Sequence, residues 1–151
     1  MPQDKLIIDL AIVIPTLNEE HFVGHLLDSI ARQSVLPKEI VVVDAYSKDK
    51  TIKEIKRRQR ILPQLTFFKI PKYTIARQRN FGVKKTSSEQ LLFLDADTQL
   101  REKNVLKNYS DQIQKKHPDI AMVTNIPISQ YWKDKVYFKT MNFMFRLSKP
   151  I

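Results

Sequence analysis

The chain alternates short, solidly apolar runs with stretches whose apolar residues recur every three or four positions. Leu10–Ile14 (LAIVI) is apolar without interruption and ends at Pro15, the pattern of a strand buried on both faces. Glu19–Gln33 then places Phe22, Val23, Leu26, Leu27 and Ile30 at helical spacing. Thr16 or Asn18 is available to cap that helix, and Thr16 with Glu19 has the spacing of a capping box. Glu39–Val43 predicts a second buried strand, Thr51–Arg60 a helix stopped before Pro63, and Leu65–Ile70 a third strand. Thr74–Lys85 predicts a short helix that weakens at Gly82, and Gln90–Leu94 a fourth strand. Arg101–Lys116 carries Val105, Leu106, Tyr109 and Ile113 on one helical stripe, and Ile120–Thr124 reads as a fifth strand. From Ser129 to Lys149 the chain is rich in aromatic residues and has no helix breaker.

Strands alternating with helices predict an α/β fold, a mainly parallel sheet sandwiched by helices in the Rossmann-like manner. Ligands of such sheets bind beyond the carboxyl ends of the strands. Pro15, Thr16 and Asn18 follow the first strand, Asp44 the second, and Asp95 and Asp97 the fourth. Three strand ends therefore present polar residues at one rim.

Composition narrows the partner. A length of 151 residues suits one domain with its own core, and the absence of cysteine excludes disulfides and thiolate metal sites. No basic segment followed by a long apolar core opens the chain, so no signal peptide is expected, and no apolar run approaches a bilayer span. The formal charge of +10 favours an anionic partner, whether nucleic acid, a phospholipid surface or a phosphorylated small molecule; solubility alone is the plainer explanation.

The pair Asp95–Asp97 carries the chemistry. Ten aspartates in this length give roughly 0.65 such pairs by chance, so the motif alone says little. Its position directly after a buried strand says more. Two carboxylates one residue apart repel each other in a partly dry site unless a cation lies between them. Mg²⁺ is commonly held by one or two carboxylates plus phosphate oxygens, and Mn²⁺ accepts the same ligands. Arg77 and Arg79, early in the helix before that strand, suit bidentate phosphate recognition, though a plain surface pair is equally compatible with the pattern. The run Lys56–Arg60 (KRRQR) lacks the interleaved aromatics of a nucleic-acid site and reads as a solvated helix face. His21 and His25 stand four apart without the H-E-x-x-H zinc pattern, and Gly24 and Gly82 are too few for a dinucleotide fingerprint.

In this order the blocks Ala11–Glu20, Glu39–Thr51, Ile75–Gly82 and Leu91–Leu100 resemble glycosyltransferase family 2, inverting sugar-nucleotide enzymes of the GT-A fold. The resemblance covers about the first hundred residues. It implies that residues 1–128 form a nucleotide-sugar-binding domain, with Pro15, Thr16 and Glu19 lining the nucleotide pocket and Asp44 touching base or ribose. It further implies Arg77 or Arg79 near the base or phosphates, Asp95 at the ribose and metal, and Asp97 as the direct ligand of Mg²⁺ or Mn²⁺. The donor would be a UDP-, GDP- or dTDP-sugar, used for cell-envelope polysaccharide or glycolipid synthesis. The chain departs from the family at Ala45, Tyr46 and Lys50, where glycines are usual. Glycine relieves strain where φ is positive, and Tyr46 is able to stack on a ligand instead. A nucleotide-binding module without transfer activity and a metal-dependent nucleotidyltransferase are the rival readings; a nucleic-acid binder is the most distant.

The resemblance also implies a catalytic base well beyond the aspartate pair. Only 54 residues follow Asp97, and their carboxylates Glu102, Asp111, Asp119 and Asp134 suit that role poorly. The expectation is a donor-binding half whose base is absent and which transfers sugar negligibly alone. Residues 129–151 interleave Tyr131, Trp132, Tyr137, Phe138, Phe143 and Phe145 with five basic residues, as an interfacial helix requires. That predicts a cytoplasmic protein, peripheral at the inner face of the membrane, with some self-association through the tail, and the resemblance implies a lipid-linked acceptor; packing of the aromatics in a core is the alternative.

Overall fold

The computed structural model describes residues 5–71 and 74–118. The expected fifth strand (Ile120–Thr124), the aromatic tail, the boundary after residue 128, and Asp119 and Asp134 lie outside the described residues. Strands β1 (Ile7–Thr16), β2 (Leu36–Asp44), β3 (Leu65–Lys69) and β4 (Gln90–Phe93) alternate with helices α1 (Val23–Ala31), α2 (Thr51–Arg58), α3 (Ile75–Val83) and α4 (Val105–Lys116). They form one parallel sheet in the order β3-β2-β1-β4. The α/β expectation is met. Each strand is followed by a helix that returns the chain to the same edge of the sheet, which is what parallel pairing demands.

The two faces of the central strands are filled differently because successive side chains alternate. Leu10, Ile12 and Ile14 of β1 and Ile40 and Val42 of β2 join Val23, Leu26, Leu27 and Ile30 of α1, Ile55 of α2 and Leu106 of α4 in the main core. Val41 and Val43 face the other way, toward Ile70, Phe68 and Phe81 of α3. Gly82 lets α3 approach that side closely: a Cβ there would lie 2.3 Å from Val13 Cγ1 and 3.3 Å from Val43 Cγ2. The weak point of the predicted helix is thus a point of contact.

β1 and β2 run longer than the apolar pattern indicated, since their pairing continues from Ile7–Leu36 to Thr16–Asp44. The expected cap of α1 is not formed. The helix starts at Val23, Phe22 stands at the cap position without a side-chain bond, and Phe22 is 52% exposed. Thr16 and Asn18 are engaged elsewhere, as the site shows. Thr74 caps α3 by accepting from Arg77 N at 3.4 Å.

The sheet order reverses between β1 and β4. Chain connections diverge on either side of that line, so a crevice opens beyond the carboxyl ends of β1 and β4.

Candidate functional site

The floor of the crevice is the pair Thr16–Asp44, register partners at the ends of β1 and β2. Both are buried, Asp44 completely. Asp44 Oδ1 accepts from Thr16 Oγ1 at 3.2 Å and also from Ser47 Oγ, while Oδ2 accepts from Ser47 N at 2.9 Å. Three donors satisfy a carboxylate that would be costly to bury bare. Asp44 therefore first fixes the loop that follows it. From α3, the buried Gln78 closes the floor, its Nε2 donating to Thr16 O (3.0 Å) and Val43 O (2.7 Å).

Two loops interlock above this floor. Successive amides of the loop after β1 donate to side chains of the loop after β2: Asn18 N to Ser47 Oγ (2.8 Å), Glu19 N to Thr51 Oγ1 (2.7 Å) and Glu20 N to Asp49 Oδ2 (3.1 Å). Return bonds run from Lys48 N to Asn18 Oδ1 and from Lys50 N to Glu20 Oε2, each 2.9 Å. Here is the reason for the failed cap: Asn18 and the amides around it satisfy the neighbouring loop. Asn18 (φ 57°) and Tyr46 (φ 58°) hold left-handed backbone. Tyr46 thus occupies the conformation glycine favours, with 57% of its surface exposed.

On the β4 side, Asp95 and Asp97 are exposed and flank the buried Ala96. Thr98 N donates to Asp95 O at 3.0 Å, closing a turn that carries both carboxylates. Arg79 Nη2 donates to Asp95 Oδ1 at 2.7 Å. The guanidinium also stands over the Phe93 ring (5.8 Å), and its Nε is buried without a hydrogen-bond partner. Arg77 instead lines a cavity of about 410 Å³ with Ile70, Pro71, Asn80, Phe81 and Lys84. Two residues apart on a helix, the arginines serve different sides of α3. Pro15 is buried at the end of β1.

Glu19 reports the charge of the crevice. Burial foremost, then the carboxylates of Asp97, Asp49 and Asp95, push its pKa up from the ordinary value. Among the described residues no group of three His, Cys, Asp or Glu converges as a complete metal site. The donor set is two accessible oxygen ligands in a field of excess negative charge. That fits a hard divalent cation whose remaining ligands come from a phosphate-bearing ligand.

Ser47, Asp49, Thr51 and Gln78 were not singled out from the sequence. The signal of the first three was the alternation of Ser, Asp and Thr after β2, which reads as ordinary loop composition until its partners are known, and Gln78 on α3 carried none. Glu102 and Asp111 do not reach the rim. The backbone of Glu102 accepts from Gln33 beside the end of α1, at the opposite edge, and Asp111 is exposed on α4.

A parallel sheet with a polar crevice at its switch point and paired carboxylates after a strand defines an α/β domain of the Rossmann-like GT-A class. The family model for glycosyl transferase family 2 matches residues 11–150, and the chain belongs to that family. It is 29% identical over 117 residues to the poly(ribitol-phosphate) beta-N-acetylglucosaminyltransferase TarS of Staphylococcus aureus, covering 75% of this chain and 20% of that protein. It is 28% identical over 102 residues to the O-antigen chain rhamnosyltransferase RfbN of Salmonella typhimurium, covering 66% of this chain and 31% of the other. The crystal structure of S. aureus TarS 1–349 in complex with UDP superposes with a TM-score of 0.67 at 28% identity, over 82% of this chain and 38% of that one. The mannosyltransferase PcManGT of Pyrobaculum calidifontis, solved in complex with GDP-Man and Mn²⁺, shares the fold: TM-score 0.64, 22% identity, 91% of this chain and 41% of that one. The chain thus spans a fifth to a third of the length of these curated relatives.

Proposed function

We propose that this chain is the donor-binding part of a glycosyltransferase that moves a sugar from a nucleoside diphosphate to an acceptor hydroxyl. The observation that carries this reading is that the parallel order β3-β2-β1-β4 brings Thr16, Asp44, Asp95 and Asp97 together beyond the carboxyl ends of β1, β2 and β4 at the switch point. In this reading the base and ribose lie over the Thr16–Asp44 floor, beside Pro15 and Glu19, with Tyr46 positioned to stack. The diphosphate lies toward Asp95 and Asp97. Arg79 stands beside those carboxylates, and Arg77 flanks the nucleotide from the other side of α3.

Asp97, with Asp95, would hold Mg²⁺ or Mn²⁺, which supplies a Lewis acid for charge on the departing diphosphate. Arg79 contributes a fixed positive charge to the same oxygens. Asp44 holds Thr16 and Ser47 so that the nucleotide meets a preformed floor. The acceptor base would come from residues other than the described carboxylates after Asp97. The basic, aromatic stretch Ser129–Lys149 supports a peripheral position on an anionic membrane surface, with a lipid-linked acceptor.

A thermal-shift screen of UDP-, GDP- and dTDP-sugars with and without Mn²⁺ tests the reading. A donor at a hundred times its dissociation constant stabilises by about 2.7 kcal/mol. No shift with any nucleotide, with metal present, contradicts it.

A further inference from the structure

Asp97 is exposed, and the nearest buried residues on either side of it are Ala96 and Leu100, both part of the main core. The backbone at those two anchors therefore sets where its carboxylate lies. From Leu100 the chain runs without regular structure to α4, and such backbone needs partners for its amides and carbonyls. They come from Ser29, near the end of α1, and Gln33, one helical turn on, each 1% exposed. Ser29 Oγ donates to Leu26 O at 2.7 Å and is left to accept from Leu100 N at 3.1 Å. Gln33 Nε2 donates to Glu102 O at 2.7 Å. Its Oε1 accepts from Leu106 N at 3.2 Å, one of the amides that the first turn of α4 leaves open. Ser34 N adds a bond to Lys103 O at 2.7 Å. The segment after the carboxylate pair is thus fastened at four places.

We propose that Ser29 and Gln33 are positioning residues for Asp97, fixing through this segment where its carboxylate meets a divalent cation. The claim rests on the reading of Asp97 as the metal ligand. Seven polar side chains are buried among the described residues, and Thr16, Asp44, Thr51 and Gln78 of these build the crevice. Ser29 and Gln33 serve the chain that leaves it. A hydroxyl and an amide in a core are costly unless bonded, and apolar residues in their places would strand Leu100 N and Leu106 N without acceptors. The Ser29 bond lies three residues after Asp97, while the bond from Thr98 N to Asp95 O (3.0 Å) closes the turn around it. Mg²⁺ needs its oxygens near about 2.1 Å in octahedral array, and a site held looser than about 0.5 Å loses its ligand geometry. Releasing the Leu100 amide removes one of the two restraints on that turn.

The test is the Mn²⁺ affinity of the whole 151-residue chain without nucleotide, read by electron paramagnetic resonance. Ser29→Ala should weaken Mn²⁺ binding by about threefold to tenfold, below the loss for a direct partner of a ligand. Gln33→Met acts farther from Asp97 and should weaken it by about twofold. Leu65→Val trims the core on β3, at the opposite edge of the sheet from β4, and should lower the melting temperature with Mn²⁺ affinity unchanged. In the Asp97→Asn background Ser29→Ala should cost nothing further, because its effect runs through that carboxylate. Unchanged Mn²⁺ affinity in either Ser29→Ala or Gln33→Met overturns the proposal. So does an equal loss in Leu65→Val, or a Ser29→Ala loss that persists beside Asp97→Asn. A loss in Asp97→Asn with none in Ser29→Ala leaves the metal-ligand reading standing, whereas unchanged affinity in Asp97→Asn contradicts that reading and the proposal together.

Discussion

Arg79 donates to Asp95 across 2.7 Å, so the first carboxylate after β4 already holds a cation supplied by α3. The two side chains are 37% and 59% exposed. Exposed ion pairs contribute about 0.2–1 kcal/mol, so Asp95 is free to exchange its partner. Arg79→Met should therefore let Mn²⁺ alone bind up to about fivefold more tightly, read by Mn²⁺ electron paramagnetic resonance. The same change should weaken nucleoside diphosphate binding by about tenfold, through loss of a charge-assisted bond. An unchanged Mn²⁺ affinity would mean that Asp95 is no ligand.

Arg58 holds two helices together. Its Nε and Nη2 reach Asp28 at 3.1 and 2.9 Å, and its Nη1 reaches Glu54. Hydrogen bonding from Arg58 is the largest cause holding both carboxyls below their ordinary values. A depressed carboxylate stabilises the fold above its unfolded pKa, and that stability is lost as pH falls through the folded value. Arg58→Met should cost about 1–3 kcal/mol at pH 7, the usual penalty for a stranded charge reduced because Asp28 is a third exposed. Urea denaturation should show the deficit shrinking below about pH 4, as the carboxylates protonate. A deficit independent of pH would point to lost packing over Gly24 instead.

Gly82→Ala places a methyl against Val13. Overpacking of this kind costs about 1–3 kcal/mol. Because α3 carries both Gln78 and Arg79, donor affinity should fall with stability. Trimming the obstacle in the double variant Gly82→Ala, Val13→Ala should recover more than the single losses would sum to, a coupling measurable by a double-mutant cycle. Strict additivity would place the clash elsewhere.

Tyr46→Gly separates stability from binding. Left-handed backbone costs a non-glycine residue about 1–2 kcal/mol, and glycine removes most of that while adding freedom to the unfolded chain. Thermal stability should hold or rise slightly, whereas nucleotide affinity should drop through loss of an exposed ring. A fall in melting temperature with affinity intact would show that Tyr46 packs the loop and does not meet the ligand.

Much of this was legible in the sequence. Leu10–Ile14 announced a central strand because a parallel sheet buries both faces, and Asp44, Asp95 and Asp97 announced the rim because they end such strands. Contacts distant in sequence were not legible. Thr16 and Glu19 have capping-box spacing, but their bonds run to Asp44 and Thr51, and local pattern carries no trace of that. Gly82 looked like a helix defect because its reason, Val13, lies on another element. Within KRRQR, Arg58 differs from its neighbours only in helical phase: three residues after the buried Ile55, it faces inward to Asp28 while Lys56, Arg57 and Arg60 are exposed.

Calorimetric titration of UDP-, GDP- and dTDP-sugars, in Mn²⁺ and in EDTA, into the chain and its Asp97→Asn variant tests the central claim most directly. One nucleotide class should bind in Mn²⁺ and weaken by about tenfold or more in EDTA, and Asp97→Asn in Mn²⁺ should behave as the unsubstituted chain does in EDTA. Equal affinity of the unsubstituted chain in EDTA and in Mn²⁺ would contradict the account.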